Sequence, residues 1–148
     1  MSLEIIISDA IKDAMRAKDK IALDALRAVK SQILLLKTEA KGADVSAEQE
    51  IAILQRMIKQ RKDSFDQFTA QNRSDLAAVE QAQSTIIEKF LPQQLSTEEL
   101  ESEIKKIISQ TGAESAKDLG KVMGMASKAL AGKSDGKSIS DMAKKLLS

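Results

Sequence analysis

Apolar side chains return every third or fourth residue along almost the whole chain, and no stretch of useful length alternates every second residue. That regularity decides the fold class. A period near 3.6 collects side chains on one face of a helix, whereas a half-buried strand needs a period of two. The reading is seven helices. The first runs from about Leu3 to Lys18, with Leu3, Ile7, Ala10, Ile11 and Ala14 on one face. The second runs from about Lys20 to Lys41 with a stripe of Leu23, Leu26, Val29, Ile33 and Leu36, and Gly42 is a stop signal. Ser46-Ala47-Glu48-Gln49 has the pattern of a capping box and opens a third helix that reaches about Ala70. Gln71-Asn72-Arg73 is a tight turn, after which Ser74 or Asp75 can cap a fourth helix carrying Leu76, Val79, Ile86, Ile87 and Phe90. That helix is expected to end at Leu91, since a proline at 92 disfavours helix in the residue before it.

Pro92-Gln93-Gln94-Leu95 is the best linker, and Ser96-Thr97-Glu98-Glu99 is a second capping pattern. Three shorter helices follow: one with Leu100, Ile104, Ile107 and Ile108, one with Leu119, Val122, Met123, Ala126 and Leu130, and one from about Ser138 to Leu147. The expected architecture is all-α: an N-terminal bundle of about four helices over residues 1–92 and a small three-helix lobe over residues 96–148. At roughly 53 residues, the second lobe is near the lower limit for folding alone.

Composition narrows the chemistry. There is no Cys and no His, which removes disulfides, thiolate sites, the commonest metal ligand and the commonest general base. No metal cluster, cofactor fingerprint or catalytic triad is present, so no cofactor is expected and the chain is not expected to be an enzyme by itself. The longest apolar run, Ile33–Leu36, is far too short for a membrane span, and the N-terminus has no signal-peptide core; the expected location is cytoplasmic. Net charge is +1, but residues 115–148 carry seven Lys against three Asp, so the end of the chain is its basic part.

Several groups invite a functional reading. Gly132-Lys133-Ser134-Asp135-Gly136-Lys137-Ser138 contains Gly-Lys-Ser, but a P-loop needs one more residue between its glycines and a preceding strand. An interhelical turn, with the glycines at positive φ, and a phosphate contact from Lys133, Lys137 and the free amides of the last helix both remain open. Gly120 and Gly124, within Gly120-Lys121-Val122-Met123-Gly124, cost a helix about 1 kcal/mol each against Ala, which suggests that another helix or a nucleic-acid backbone approaches that face closely. Arg61 projects into the apolar face formed by Leu54, Met57, Ile58, Phe65 and Phe68. A buried Arg needs an acid, and Glu80 or another inward-facing acid is the expected partner unless Arg61 reaches off the edge of the face; Arg61→Ala would, with such a pair, cost about 3 kcal/mol or more. Arg56, Lys59, Arg61 and Lys62 lie close together without an acid and form a candidate basic patch.

Leu26-Arg27, Lys59-Gln60-Arg61-Lys62-Asp63, Arg73-Ser74-Asp75-Leu76-Ala77 with Glu80, Phe90–Ser96, Gly120–Gly124 and Asp135-Gly136-Lys137 together resemble the YqeY family. The same GatB/YqeY domain forms the C-terminal tail of the GatB subunit of glutamine-dependent aminoacyl-tRNA amidotransferase. The resemblance implies a stand-alone accessory module that binds tRNA or another structured RNA, with a tRNA-modifying enzyme as a further partner. Carbon–nitrogen ligase activity with glutamine as amido-nitrogen donor attaches to the chain only through that association. The RNA-binding candidates are Gly120, Lys121, Gly124, Lys128, Lys133, Asp135, Gly136 and Lys137. Structural or basic-patch candidates are Arg27, Arg56, Lys59, Arg61, Lys62, Arg73 and Glu80. The alternative role is a helical protein-interaction adaptor that binds no RNA. The chain departs from the family pattern at Asn72, where Gly is expected, and at Lys133 and Ser134. Asn tolerates the left-handed turn, while Lys lacks the bidentate fork of Arg.

Overall fold

The computed structural model describes residues 2–148. Among these residues the regular structure is entirely helical: α1 (Leu3–Ala17), α2 (Lys20–Glu39), α3 (Ala47–Ala70), α4 (Ser74–Glu88), α5 (Thr97–Thr111), a 3-10 turn (Ala116–Asp118), α6 (Leu119–Ala129) and α7 (Gly136–Leu147). The chain divides into two compact units, one ending at Leu91 and one running from Pro92 to Ser148.

The first unit buries one core. Leu3, Ile7 and Ala14 of α1 meet Ala25, Leu26, Val29 and Ile33 of α2, Ile53, Leu54, Met57 and Ile58 of α3, and Ile87 of α4. α1 and α2 turn on Lys18, whose φ of 55° is left-handed, and Asp19 caps α2 by accepting from the Ala22 amide at 3.1 Å. Glu4 and Lys37 pair across the two helices, and that carboxylate holds the Lys37 ammonium above its ordinary range. α3 opens with a full capping box, because Ser46 and Gln49 each accept the other's backbone N–H. α3 and α4 pack along their length through the turn at Asn72, where φ is 58°. The asparagine adopts the left-handed conformation expected of it.

Three boundaries differ from the sequence reading. α4 is preceded by Arg73, with no side-chain cap, instead of being capped by Ser74 or Asp75. It ends at Glu88, not Leu91. Phe90 and Leu91 donate instead to Ile87 and Glu88, a tightening into i→i−3 bonds that carries the chain toward Pro92. α7 begins at Gly136, two residues before Ser138, because Asp135 is its cap.

The second unit has its own core. Leu100, Ile104 and Ile107 of α5 pack with Val122 and Ala126 of α6, Leu130, and Ile139, Met142, Ala143 and Leu147 of α7. Ser96 caps α5 and Gly112, at φ 69°, ends it. Asp118 accepts the backbone N–H groups of Glu114 and Ser115, and these bonds hold its carboxyl below the usual range.

Candidate functional site

The loop before α7 is built as structure. Gly132 is buried at φ 76°, so it supplies the left-handed residue of the turn. Gly136 does not share that role, since it is already helical. The carbonyl of Lys133 accepts from the Leu95 amide at 2.9 Å, and the Gln94 side-chain amide donates to the carbonyls of Pro92 and Gly132. The Asp135 carboxylate accepts the Ser138 N–H at 2.8 Å. The Ser138 amide is therefore not free to receive a phosphate. The negative cap satisfies the amide, complements the helix dipole and repels a second anion.

The lysine side chains of this unit are arranged differently. On α6, Lys121, Gly124 and Lys128 lie on the exposed side, opposite Val122 and Ala126. A Cβ at Gly120 or Gly124 would meet nothing within 4 Å. The expectation that another element of the chain crowds these glycines is not met; their face is open. On α7, Lys137 and Lys144 are exposed opposite Ile139 and Ala143. Lys121, Lys128, Lys133, Lys137, Lys144 and Lys145 make no ion pair among the described residues. On α5, by contrast, Lys105 and Lys106 pair with Glu101 and Glu103. Lysines without an ion pair are thus gathered on α6, α7 and the loop between them, although Lys121 lies near enough to Asp118 to help hold that carboxyl below its usual range.

The candidates of the first unit do not form one patch. Arg61 is half-buried, and its partner is not Glu80: Nε donates to Gln83 Oε1 at 3.0 Å and Nη1 to the Met57 carbonyl at 3.2 Å. The register of the α3–α4 hairpin explains the correction. Arg61 and Gln83 are equally far from Asn72 along the chain, whereas Glu80 falls a turn nearer the loop. Arg56 Nη2 donates to Gln32 Oε1 of α2 at 2.8 Å. Lys62 pairs with Glu88 at 3.4 Å, while Lys59 and Arg27 are exposed without an ion pair among the described residues. The amides of Gln32 and Gln83 that accept from these arginines went unread in the sequence because neutral side chains give no charge signal. Counting outward from the Asn72 turn would have found Gln83.

With only neutral acceptors, Arg61→Ala is expected to cost about 1.5–3 kcal/mol in urea unfolding, the range for hydrogen bonds to a charged group. A loss of about 3–5 kcal/mol would instead indicate a broken buried ion pair.

Arg73 holds Asp75 through Nε–Oδ1 at 3.2 Å and Nη2–Oδ2 at 3.1 Å. The Arg73 hydrogen bonds, then the Leu76 backbone N–H, keep the Asp75 carboxyl below its ordinary range. A carboxyl depressed in the folded state adds stability above its unfolded pKa, and that contribution disappears as pH falls through the folded value. Asp75→Asn should therefore flatten the acid limb of stability against pH and leave the neutral-to-alkaline limb unchanged in slope. An unaltered acid limb in denaturant titrations would refute the assignment.

Among the described residues no three Asp or Glu side chains converge as a metal site. The family model described as Yqey-like protein matches residues 5–147. The chain is also similar to "Altered inheritance of mitochondria protein 41, mitochondrial" from three yeasts. The Saccharomyces cerevisiae protein is 34% identical over 100 residues, 66% of this chain and 54% of the relative. That of Lachancea thermotolerans is 30% identical over 102 residues, 68% and 54%. That of Meyerozyma guilliermondii is 33% identical over 124 residues, 78% and 61%. The chain spans about half the length of the first of these relatives. Their names correct the cytoplasmic expectation: the relatives are mitochondrial proteins, and the features behind that expectation, no signal-peptide core and no long apolar run, do not discriminate between the two compartments.

Proposed function

Because the chain belongs to the Yqey-like family, we propose that it is a binding module for structured RNA, gripping the phosphate backbone through the lysines of its small unit. The observation that supports this reading is the set of exposed, unpaired lysines on α6, α7 and their connecting loop. Lysines free of carboxylate partners can displace counterions from phosphates, and that release drives sequence-independent binding. All three aromatic residues, Phe65, Phe68 and Phe90, precede Pro92. The small unit thus has no ring on which an unpaired base could stack, which favours recognition of backbone and shape over base sequence.

The GatB/YqeY resemblance makes tRNA the first RNA to test. Purified protein should retard tRNA in a gel at low salt, and binding should weaken steeply as salt rises. Failure to bind any RNA at low salt would end the proposal. A second reading, a helical protein-interaction adaptor, is favoured by exposed apolar side chains on the first unit, among them Ile5, Met15 and Leu35. Partners retained after RNase treatment would support it.

A further inference from the structure

The first unit contains a cleft of about 440 Å³ between α2 and α3. Ligand pockets commonly occupy roughly 300–1,000 Å³, so its size suits a small molecule. Its polar lining comes from Ser31 and Gln32 of α2 and from Arg56, Gln60 and Arg61 of α3. These positions follow from helical spacing: Ser31 and Gln32 lie three and four residues beyond Ala28 on α2, and Gln60 and Arg61 lie four residues beyond Arg56 and Met57 on α3. Ala28 and Met57 complete the lining, and no carboxylate contributes to it.

Two guanidinium groups therefore border one cleft with no acid to neutralise either. Arg61 is held in place from two sides, by Gln83 and by the Met57 carbonyl, both neutral. Its Nη2 has no hydrogen bond among the described residues, and no buried side-chain polar atom lacks a partner. Nη2 is thus a donor that solvent can reach. Arg56 uses only Nη2, on Gln32, which leaves its Nε and Nη1 unspent. A half-buried cation fixed by neutral groups gains strongly from an anion brought to it.

The geometry points to an oxyanion site in this cleft, taking a phosphate group between Arg56 and Arg61. Two positive charges match a phosphate monoester, which carries about −1.5 to −2 near neutral pH, better than they match a single carboxylate. A carboxylate offers two oxygens in one plane, whereas the donors here are two separate guanidinium groups of α3, with Ser31 of α2 and Gln60 of α3 lining the same cleft, and they suit the three free oxygens of a phosphate monoester. The site lies in the first unit and uses none of the lysines of the RNA reading, so either can fail without the other.

The test is an NMR titration of the guanidinium Nε–Hε signals of Arg56 and Arg61 with inorganic phosphate, at ionic strength held constant with chloride. Saturable shifts at both arginines are expected, with weaker binding by acetate. Arg56→Gln leaves both Arg61 hydrogen bonds in place, so the fold should persist while phosphate affinity drops about tenfold or more. Arg16→Gln, on the exposed side of α1, should leave affinity unchanged. Adenosine monophosphate and adenosine distinguish the ligand's source. The monophosphate binding as phosphate does would mean the phosphate group alone is recognised, and tighter binding would make a nucleotide the ligand. Shifts no larger than those with chloride alone, affinity retained in Arg56→Gln, or adenosine binding as well as its monophosphate would each overturn the proposal.

Discussion

Ile104→Ala is expected to unfold the second unit at ambient temperature. Ile104 is fully buried at the centre of a cluster formed by α5, α6 and α7. Truncating a buried Ile removes transfer free energy and leaves a cavity, which together cost about 2–5 kcal/mol. The unit has 57 residues and contains no disulfide and no aromatic side chain. A core of that size seldom supplies more than about 3–5 kcal/mol in total. The loss is then comparable with everything that holds the unit folded. Ile33→Ala makes the same cavity in the first unit, whose core also draws on four helices and more buried residues, and it should lower stability without abolishing the fold. Amide proton spectra read both outcomes. With Ile104→Ala the dispersed signals of α5, α6 and α7 should collapse, and with Ile33→Ala those of α1–α4 should persist. A well-dispersed set from α5–α7 in the first variant would show that the small core has more in reserve than its size implies.

The buried set also shows where sequence reading works and where it stops. Large aliphatic residues at helical spacing found most of both cores. Ile7, Val29, Ile33, Leu54, Ile104, Val122 and Ile139 all lie where their periodicity places them. α4 is the exception. Val79 belongs to its apolar stripe by composition, yet it is 37% exposed, while Ser84 is 1% exposed. The buried side of α4 is Ala77, Ser84 and Ile87, and Val79 points roughly opposite Ala77. Small side chains let α3 and α4 approach closely, and a hydrophobicity ranking passes over them. The same limit applied to the candidate site. Charged residues were visible one by one, but whether a charge is paired depends on which neighbour the packing brings within reach. Lys105 and Lys106 are paired while Lys121 and Lys128 are not, and composition alone cannot separate these two pairs.

That separation sets the last expected result. Replacing Lys121, Lys128, Lys137 and Lys144 together by Gln should weaken tRNA binding on the order of 10²–10³-fold near physiological salt and flatten its salt dependence. Each phosphate contact contributes about 0.7–0.9 to the slope of log affinity against log salt, so four lost contacts remove about 3. At physiological ionic strength such a slope amounts to roughly fivefold per contact. All four side chains are exposed, and surface substitutions of this kind usually change stability by no more than about 0.5 kcal/mol each. The melting temperature therefore serves as an internal check on folding. The matched control is Lys105→Gln with Lys106→Gln. It removes the same kind of charge from the same unit, but these lysines already sit against Glu101 and Glu103. A paired lysine must first give up its carboxylate to meet a phosphate, so the control should lose little affinity and keep nearly the full salt slope. If the paired and unpaired lysines proved interchangeable, binding would reflect net charge alone, and the unpaired lysines of α6 and α7 would have no particular claim as the interface.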